Sequence, residues 1–304
     1  MSLLSEFPRT GRVVFCPGPN RSPYPNCNGL YVEGDIRILI DQGGSAIQAK
    51  SIAAGPGIDR LYVTHWHEDH ALSACQLPEI PLFAPAADRE PIETRKATHA
   101  RGGIHDKMLQ AQMDALYDGM GFTHRKVDSF VEPESEIDLG GITMIALHAP
   151  GHTSGHTCYW FPKESVLVLG DYDLTRAGPV CPDLDSSVRN TYQSLARLQR
   201  LPVKFAAAAH GRGWFDGEEY KTRMAAYLEV LDRRLDAILD LVRAGDTTIP
   251  SLARHFQKLF NFPVLPGYEA WGAVSGQMLI RPMTRYLCEE ERLIEPEPDR
   301  FEAV

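Results

Sequence analysis

Three histidines and an aspartate crowd into six positions, as His65, His67, Asp69 and His70 in the run Thr64-His65-Trp66-His67-Glu68-Asp69-His70. Imidazole and carboxylate are the side chains that hold zinc and related divalent ions. The run follows Leu61-Tyr62-Val63, an apolar stretch that reads as a strand, so the four side chains leave the strand together on one loop. A chain with this feature has to fold so that the loop faces further ligands.

Candidates for those ligands lie downstream, each at the end of an apolar run. Pro150-Gly151-His152-Thr153-Ser154-Gly155-His156 follows a predicted strand and has glycines for a tight loop. Asp171 follows the run 166–169, and His210 follows the run 205–208. Sites that need precision are built at the ends of rigid elements. Taken singly, His210 would more often be a hydrogen-bonded structural histidine, and Asp171 a turn cap. Beside the first motif, the metal reading is the stronger for both. His156 reads as a residue that orients His152 or touches substrate. His99, His105, His124 and His148 read as surface or packing residues. Glu68 fills a variable position of the motif and is expected to be exposed.

The 304 residues allow one large domain or two modest ones. A net charge of -9 gives no global attraction for nucleic acid or anionic membrane. No apolar run approaches the roughly 20 residues that span a bilayer, and the N-terminus lacks the features of a signal peptide. The six cysteines are scattered, without Cys-x-x-Cys, and read as reduced thiols. The expected location is cytoplasmic.

Strands are expected at 30–33 and 36–41, joined by a two-residue turn at Gly34-Asp35 with a positive φ at the glycine. Further strands are expected at 60–64, 81–84, 137–147, 157–161, 166–170 and 203–209, and helices at 45–54 and 186–200. Residues 88–127 read as a helical insert. Its basic residues, Arg89, Arg95, Lys96, Arg101, Lys107, Arg125 and Lys126, suggest a lid that holds an anionic substrate group, with a solvated helix pair weighed equally. After residue 216, Leu228, Leu231, Leu235, Ile238 and Val242 recur at helical spacing, ending at Ala244-Gly245. A second helix is expected after Thr247 or Thr248, and a third at 275–291. The expected division is therefore a domain at 1–215 and a helical region at 216–304. The tail at 295–299 is expected to be mobile.

These motifs resemble those of the metallo-beta-lactamase-fold hydrolases: His-x-His-x-Asp-His at 65–70, Gly-His-Thr around His152, Gly-Asp at Asp171 and His-Gly at His210. The resemblance covers residues 30–211, and it implies an αββα sandwich carrying a helical C-terminal extension. It further implies that His65, His67 and His152 bind one metal, that Asp69, His70 and His210 bind a second, and that Asp171 bridges them. Asp41 matches an aspartate that supports the site from behind. The usual Asp-Thr-Gly is Asp-Gln-Gly here.

Two divalent ions about 3.5–4 Å apart share a water and bring its pKa toward neutrality. The implied activity is therefore hydrolysis by a metal-bridging hydroxide, with Asp69 and Asp171 central. Zinc is the first choice of ion, with iron and manganese open. Tyr172 could donate to the developing oxyanion, with a packed role weighed at least equally. The run at 150–156 resembles glyoxalase II-like enzymes, which points to a small thioester, ester or lactone. The residues that hold glutathione in those enzymes are not found here. The second reading is a lactamase-beta-like endoribonuclease or phosphodiesterase, whose winged-helix-like tail the region after 216 resembles. Pro282 and the extra residues 261–274 depart from it, and the charge of -9 speaks against strong RNA binding. The expected partner is a small-molecule substrate, without membrane; a homodimer stays open, and nucleic acid is disfavoured but not excluded.

Overall fold

A computed structural model of the chain describes residues 3–41, 45–260 and 269–304, with side chains from residue 4 in the first span and from 274 in the last. Gln42 and Gly43 of the Asp-Gln-Gly run lie outside the described residues, as does most of 261–274. The first sheet runs in sequence order: β1 (Arg9–Thr10), β2 (Val13–Cys16), β3 (Gly29–Glu33), β4 (Arg37–Ile40), β5 (Arg60–Tyr62), β6 (Leu82–Pro85) and β7 (Ser129–Val131). Helix α1 (Ala46–Ala54) connects β4 to β5, and α2 (Glu68–Gln76) lies between β5 and β6. The insert between β6 and β7 holds α3 (Arg89–Glu93), α4 (Arg95–Arg101) and α5 (Lys107–Met120).

The second sheet has the order β13-β12-β11-β10-β9-β8. Its strands are β8 (Glu136–Asp138), β9 (Thr143–His148), β10 (Thr157–Phe161), β11 (Val166–Gly170), β12 (Phe205–Ala208) and β13 (Trp214–Asp216), with α6 (Val188–Leu198) before β12. Alternation along β2 shows how the layers arise. Val13 and Phe15 enter the core between the sheets, with Ile38, Tyr159 and Val166. Val14 and Cys16 face the opposite way, toward Ile52 of α1 and Ala71 of α2. On the outer face of the second sheet, Cys158, Trp160 and Leu167 pack on Leu195 of α6 and on Tyr220 and Met224 of the long helix α7 (Gly217–Arg243). The architecture is an αββα sandwich with a helical C-terminal region. No described helix is long and apolar enough to cross a membrane.

The C-terminal half of α7 packs on α8 (Ile249–Ala253), α9 (Phe256–Phe260) and α10 (Glu269–Glu289) through Leu231, Leu235, Ile238, Leu252 and Ile280. Thr248 caps α8 through a reciprocal pair with Ser251, and Pro282 lies inside α10. The 295–299 segment differs from expectation. It belongs to a hairpin of β14 (Leu293–Glu297) and β15 (Arg300–Ala303), and the Asp299 carboxylate accepts from Arg281. Strand pairing and that ion pair hold what composition alone marks as loose. The first hairpin differs too. Glu33 pairs with Arg37, so three residues turn rather than two. Gly34 is absent from the positive-φ glycines and has a different reason to be glycine: a Cβ there would overlap the Leu139 carbonyl oxygen of the opposite sheet.

Candidate metal centre

Each ligand candidate emerges where a strand ends. Beyond β5, Thr64 and His65 leave the sheet, His67 stands at the N-cap position of α2, and Asp69 and His70 occupy its first turn. The carboxylate of Asp69 thus sits at the positive end of a helix. Gly170 ends β11 with φ +56, and a Cβ there would lie 2.6 Å from His156 Nε2. Only glycine lets the chain turn Asp171 inward at that point. His210 follows β12, where Asn28 holds the strand end by donating Nδ2 to Ala208 O at 3.0 Å.

The seven predicted ligands converge in two groups: His65, His67, His152 and Asp171, and beside them Asp69, His70 and His210. In the first group, His65 Nε2 lies 2.8 Å from His67 Nδ1, and His152 Nε2 lies 3.1 Å from the same atom. Asp171 faces both groups, one oxygen to each. Its Oδ2 is 3.2 Å from His152 Nε2 and 3.8 Å from His65 Nε2. Its Oδ1 is 2.9 Å from His70 Nε2 and 3.2 Å from His210 Nε2. Asp69 Oδ2 completes the second group, 3.4 Å from His210 Nε2.

This arrangement fits divalent cations on its own evidence. Asp69 Oδ2, His70 Nε2 and Asp171 Oδ1 are buried and make no hydrogen bond among the described residues, although they crowd one another. Such orphaned atoms are costly unless something central satisfies them. Meanwhile the outward ring nitrogen of every histidine ligand is engaged. His65 Nδ1 meets Thr64 Oγ1 at 3.0 Å, His67 Nε2 meets Asp183 Oδ2 at 2.9 Å, and His70 Nδ1 meets Asp41 Oδ2 at 3.1 Å. His152 Nδ1 donates to Val180 O at 2.9 Å and His210 Nδ1 to Ser22 O at 3.0 Å. Outward donation aims the other nitrogen's lone pair inward, the tautomer that a ligand needs.

Electrostatics agree with this. Burial and the neighbouring His70 and His67 hold His65 well below the usual histidine value. Burial also disfavours a charge on His67, His70 and His210, yet the carboxylates outweigh it. Asp183 raises His67 to about 9, Asp171 and Asp41 hold His70 well above its usual value, and Asp171 raises His210 to about 10. Protons on these rings are what an incoming cation displaces. Asp171 is held well below the usual carboxylate range, because the imidazoles of His70, His210 and His152 outweigh its burial.

The supporting residues fall where expected in part. Asp41 accepts from Thr64 N at 2.8 Å and backs His70, so it stands behind the second group. His156 is fully buried and touches no substrate space. Its Nδ1 donates to Ala149 O at 3.2 Å, and its Nε2 accepts from Asp171 N at 3.2 Å. It therefore holds Asp171, and its ring also meets His152 edge-on, 5.8 Å between centroids. Tyr172 takes the packed role of the two. Its hydroxyl donates to Ala149 O at 3.0 Å and Pro150 O at 2.9 Å, with the residue 1% exposed. Adjacent residues at a strand end point in opposite directions, so the neighbour of an inward Asp171 faces away. Both carbonyls keep a second donor, His156 and Ser194. Tyr172→Phe is thus expected to cost about 1 kcal/mol of stability and to change kcat no more than about twofold, whereas loss of an oxyanion donor costs about a hundredfold or more. Steady-state kinetics and urea melts separate the two.

Glu68 also differs from expectation. It is 8% exposed, accepts a hydrogen bond from Tyr24, and meets the phenol of Tyr117 from α5. The first turn of α2 is buried on all sides, which a variable motif position does not reveal. The arginines of the insert are engaged within the protein. Arg89 pairs with Glu93, Arg95 with Asp114 and Asp118, Arg101 with Asp88 and Asp185, and Arg125 with Asp128. These four arginines each pair with an acid of the chain, Arg89 and Arg95 at the surface.

Two acids in the site's frame carry no signal in the sequence. Asp183 backs His67. Asp88 is fully buried and accepts from Trp66 N at 3.1 Å, Thr153 Oγ1 at 3.0 Å and Gly155 N at 3.2 Å, clasping the two ligand loops together.

Comparison with known proteins agrees with the fold. The sequence profile of the metallo-beta-lactamase superfamily matches residues 25–210, more than half of the chain. A lactamase-like protein, adaB, of Aspergillus niger is 27% identical over 253 residues, covering 77% of this chain and 68% of that protein. A hydroxyacylglutathione hydrolase of Methylococcus capsulatus is 26% identical over 228 residues, covering 71% of this chain and 77% of that one. An atrochrysone carboxyl ACP thioesterase of Pseudocercospora fijiensis is 25% identical over 211 residues, covering 66% of this chain and 53% of that protein. The crystal structure of a metallo-beta-lactamase family protein from Thermus thermophilus superposes with a TM-score of 0.73 at 18% identity, covering 96% of this chain and 99% of that one. The chain belongs to the metallo-beta-lactamase superfamily and is a metal-dependent hydrolase.

Proposed function

We propose that the chain hydrolyses small acyl substrates, thioesters first and esters or lactones beside them, with two zinc ions held by the seven ligands. One observation carries the reading of the centre: Asp171 offers one oxygen to each group. When bound, two divalent ions supply a water made nucleophilic near neutral pH and polarise the oxygen under attack. The protein's share is to fix geometry. Asp171 keeps the two groups in one register, and His156 holds the Asp171 backbone amide. Asp41, Asp183, Val180 and Ser22 lock the histidine rings. No buried serine or cysteine is needed as nucleophile. Cys158 lies inside β10, and burial raises its thiol above the range of a reactive one.

The thioester preference is supported by the activities for which two relatives are named, the hydroxyacylglutathione hydrolase and the ACP thioesterase. At identities of 25–26% those substrates are not carried over as such. The engaged arginines of the insert and the net charge of -9 favour a small acyl substrate over RNA.

A panel of acyl thioesters, lactones, phosphodiesters and single-stranded RNA, assayed with zinc, iron and manganese, tests this. The expected result is thioester turnover that changes little between about 50 and 200 mM salt. RNA cleavage that collapses over the same salt range, with no acyl turnover, sinks the proposal, because backbone-phosphate binding is lost steeply with salt.

A further inference from the structure

Arg234 lies on α7 and is 3% exposed. A buried guanidinium is costly unless its N–H groups are met. Here Nε donates to Leu259 O at 3.0 Å, Nη1 donates to Pro179 O at 2.7 Å and Nη2 donates to Ala177 O. Its charge centre stacks 4.4 Å above the Phe260 ring. Burial lowers its pKa only to about 10, so it stays charged. Every acceptor is a backbone carbonyl, and two of the three belong to the loop between β11 and α6.

That loop goes on to hold the first metal group from behind. One residue past Pro179, Val180 O accepts from His152 Nδ1. Three residues later, Asp183 accepts from His67 Nε2. Ser186 Oγ accepts from Asp183 N at 2.9 Å and donates to His152 O at 2.5 Å, so the loop closes on the same two ligands. The second group is backed elsewhere, His70 by Asp41 and His210 by Ser22 O.

We propose that Arg234 is a positioning residue for the first metal. Through it the C-terminal helices clamp the loop at 177–183, and the loop sets the rings of His152 and His67. The proposal rests on the binuclear reading of the centre. It also gives the region after residue 216 a part in that centre that its sequence does not announce.

The test is zinc affinity of the full-length protein, site by site, by competition with a chromophoric chelator, for wild type, Arg234→Lys and Arg234→Met. Lysine keeps charge and bulk but lacks the planar fork that bridges three carbonyls, and it carries the test if Arg234→Met does not fold. The expected result is one ion held as in wild type and the other weakened about 10–100-fold, the usual loss when a ligand's outer partner is removed. Adding Asp183→Asn to Arg234→Lys is expected to lose less than the sum of the two single losses, since both reach the ring of His67 through Asp183. Unchanged affinities, or equal weakening of both ions, overturn the proposal and leave Arg234 a packing residue. Wild type that binds fewer than two ions overturns the binuclear reading itself, whatever Arg234 does.

Discussion

Asp171→Ala is expected to lose all turnover and to fail to hold two metals with wild-type affinity. The reason is geometric. Among the described ligand candidates, Asp171 is the one whose carboxylate faces both groups, Oδ2 toward His152 and His65 and Oδ1 toward His70 and His210. Each group then keeps three ligands, His65, His67 and His152 in one and Asp69, His70 and His210 in the other. A three-ligand site can still bind zinc, so some metal will remain. What goes is the shared register of the two ions and the charge that offsets the surrounding imidazoles. Asp171→Asn loses the charge and the second oxygen but keeps size and one oxygen, so it shows what a ligand left to one group alone still holds. Metal content by elemental analysis and turnover on the best substrate of the panel are the measurements. Wild-type turnover with wild-type metal content in Asp171→Ala would falsify the assignment of the centre. Intact turnover with altered content would show that one group suffices for the chemistry.

The ligands are legible in the sequence because their chemistry is rare in such density and because each stands where an apolar run stops. His65, His67, Asp69, His70, His152, Asp171 and His210 need only residue type, order and strand ends. The sandwich is legible in the same way, since strands at 157–161 and 166–170 appear with the bounds that the apolar runs predict. The supporting frame is not. Val180 and Ser22 act through backbone carbonyls, which any residue supplies. Asp183 and Asp88 are lone acids beside a proline-rich loop and a short helix, where composition suggests solvent. Glu68 reads as exposed, and Tyr172 as either an oxyanion donor or a packed side chain, because local sequence does not say which way a side chain turns. The tail at 295–299 reads as loose because its acids and prolines resemble a linker, whereas pairing with β15 orders it. In each case the deciding contact is made by a segment distant in the chain.

Asp88→Ala is expected to destabilise the fold by about 3–5 kcal/mol, the range for breaking a buried, hydrogen-bonded ion pair on one side. Burial pushes the Asp88 carboxyl up to about 7, against the pull of Thr153 and Arg101, so it costs something to hold. Removing it costs more. Trp66 N and Gly155 N are left without an acceptor inside the protein, each worth about 1–3 kcal/mol, and Arg101 Nη1 loses one of its two carboxylates while keeping Asp185. Because Asp88 joins the loop of His65 and His67 to the loop of His152, the loss also reaches the first metal group. Asp88→Asn keeps an acceptor for one of the two amides and presents an NH₂ to the other, so an intermediate loss is expected. Urea unfolding of the metal-free protein reads the effect directly: the midpoint should fall while the slope stays the same. Adding zinc should restore part of the lost stability, since a ligand that binds only the folded state stabilises it by mass action. If Asp88→Ala unfolds at the wild-type midpoint, the clasp between the two ligand loops does not hold them, and the backbone of each loop must keep its histidines in place unaided.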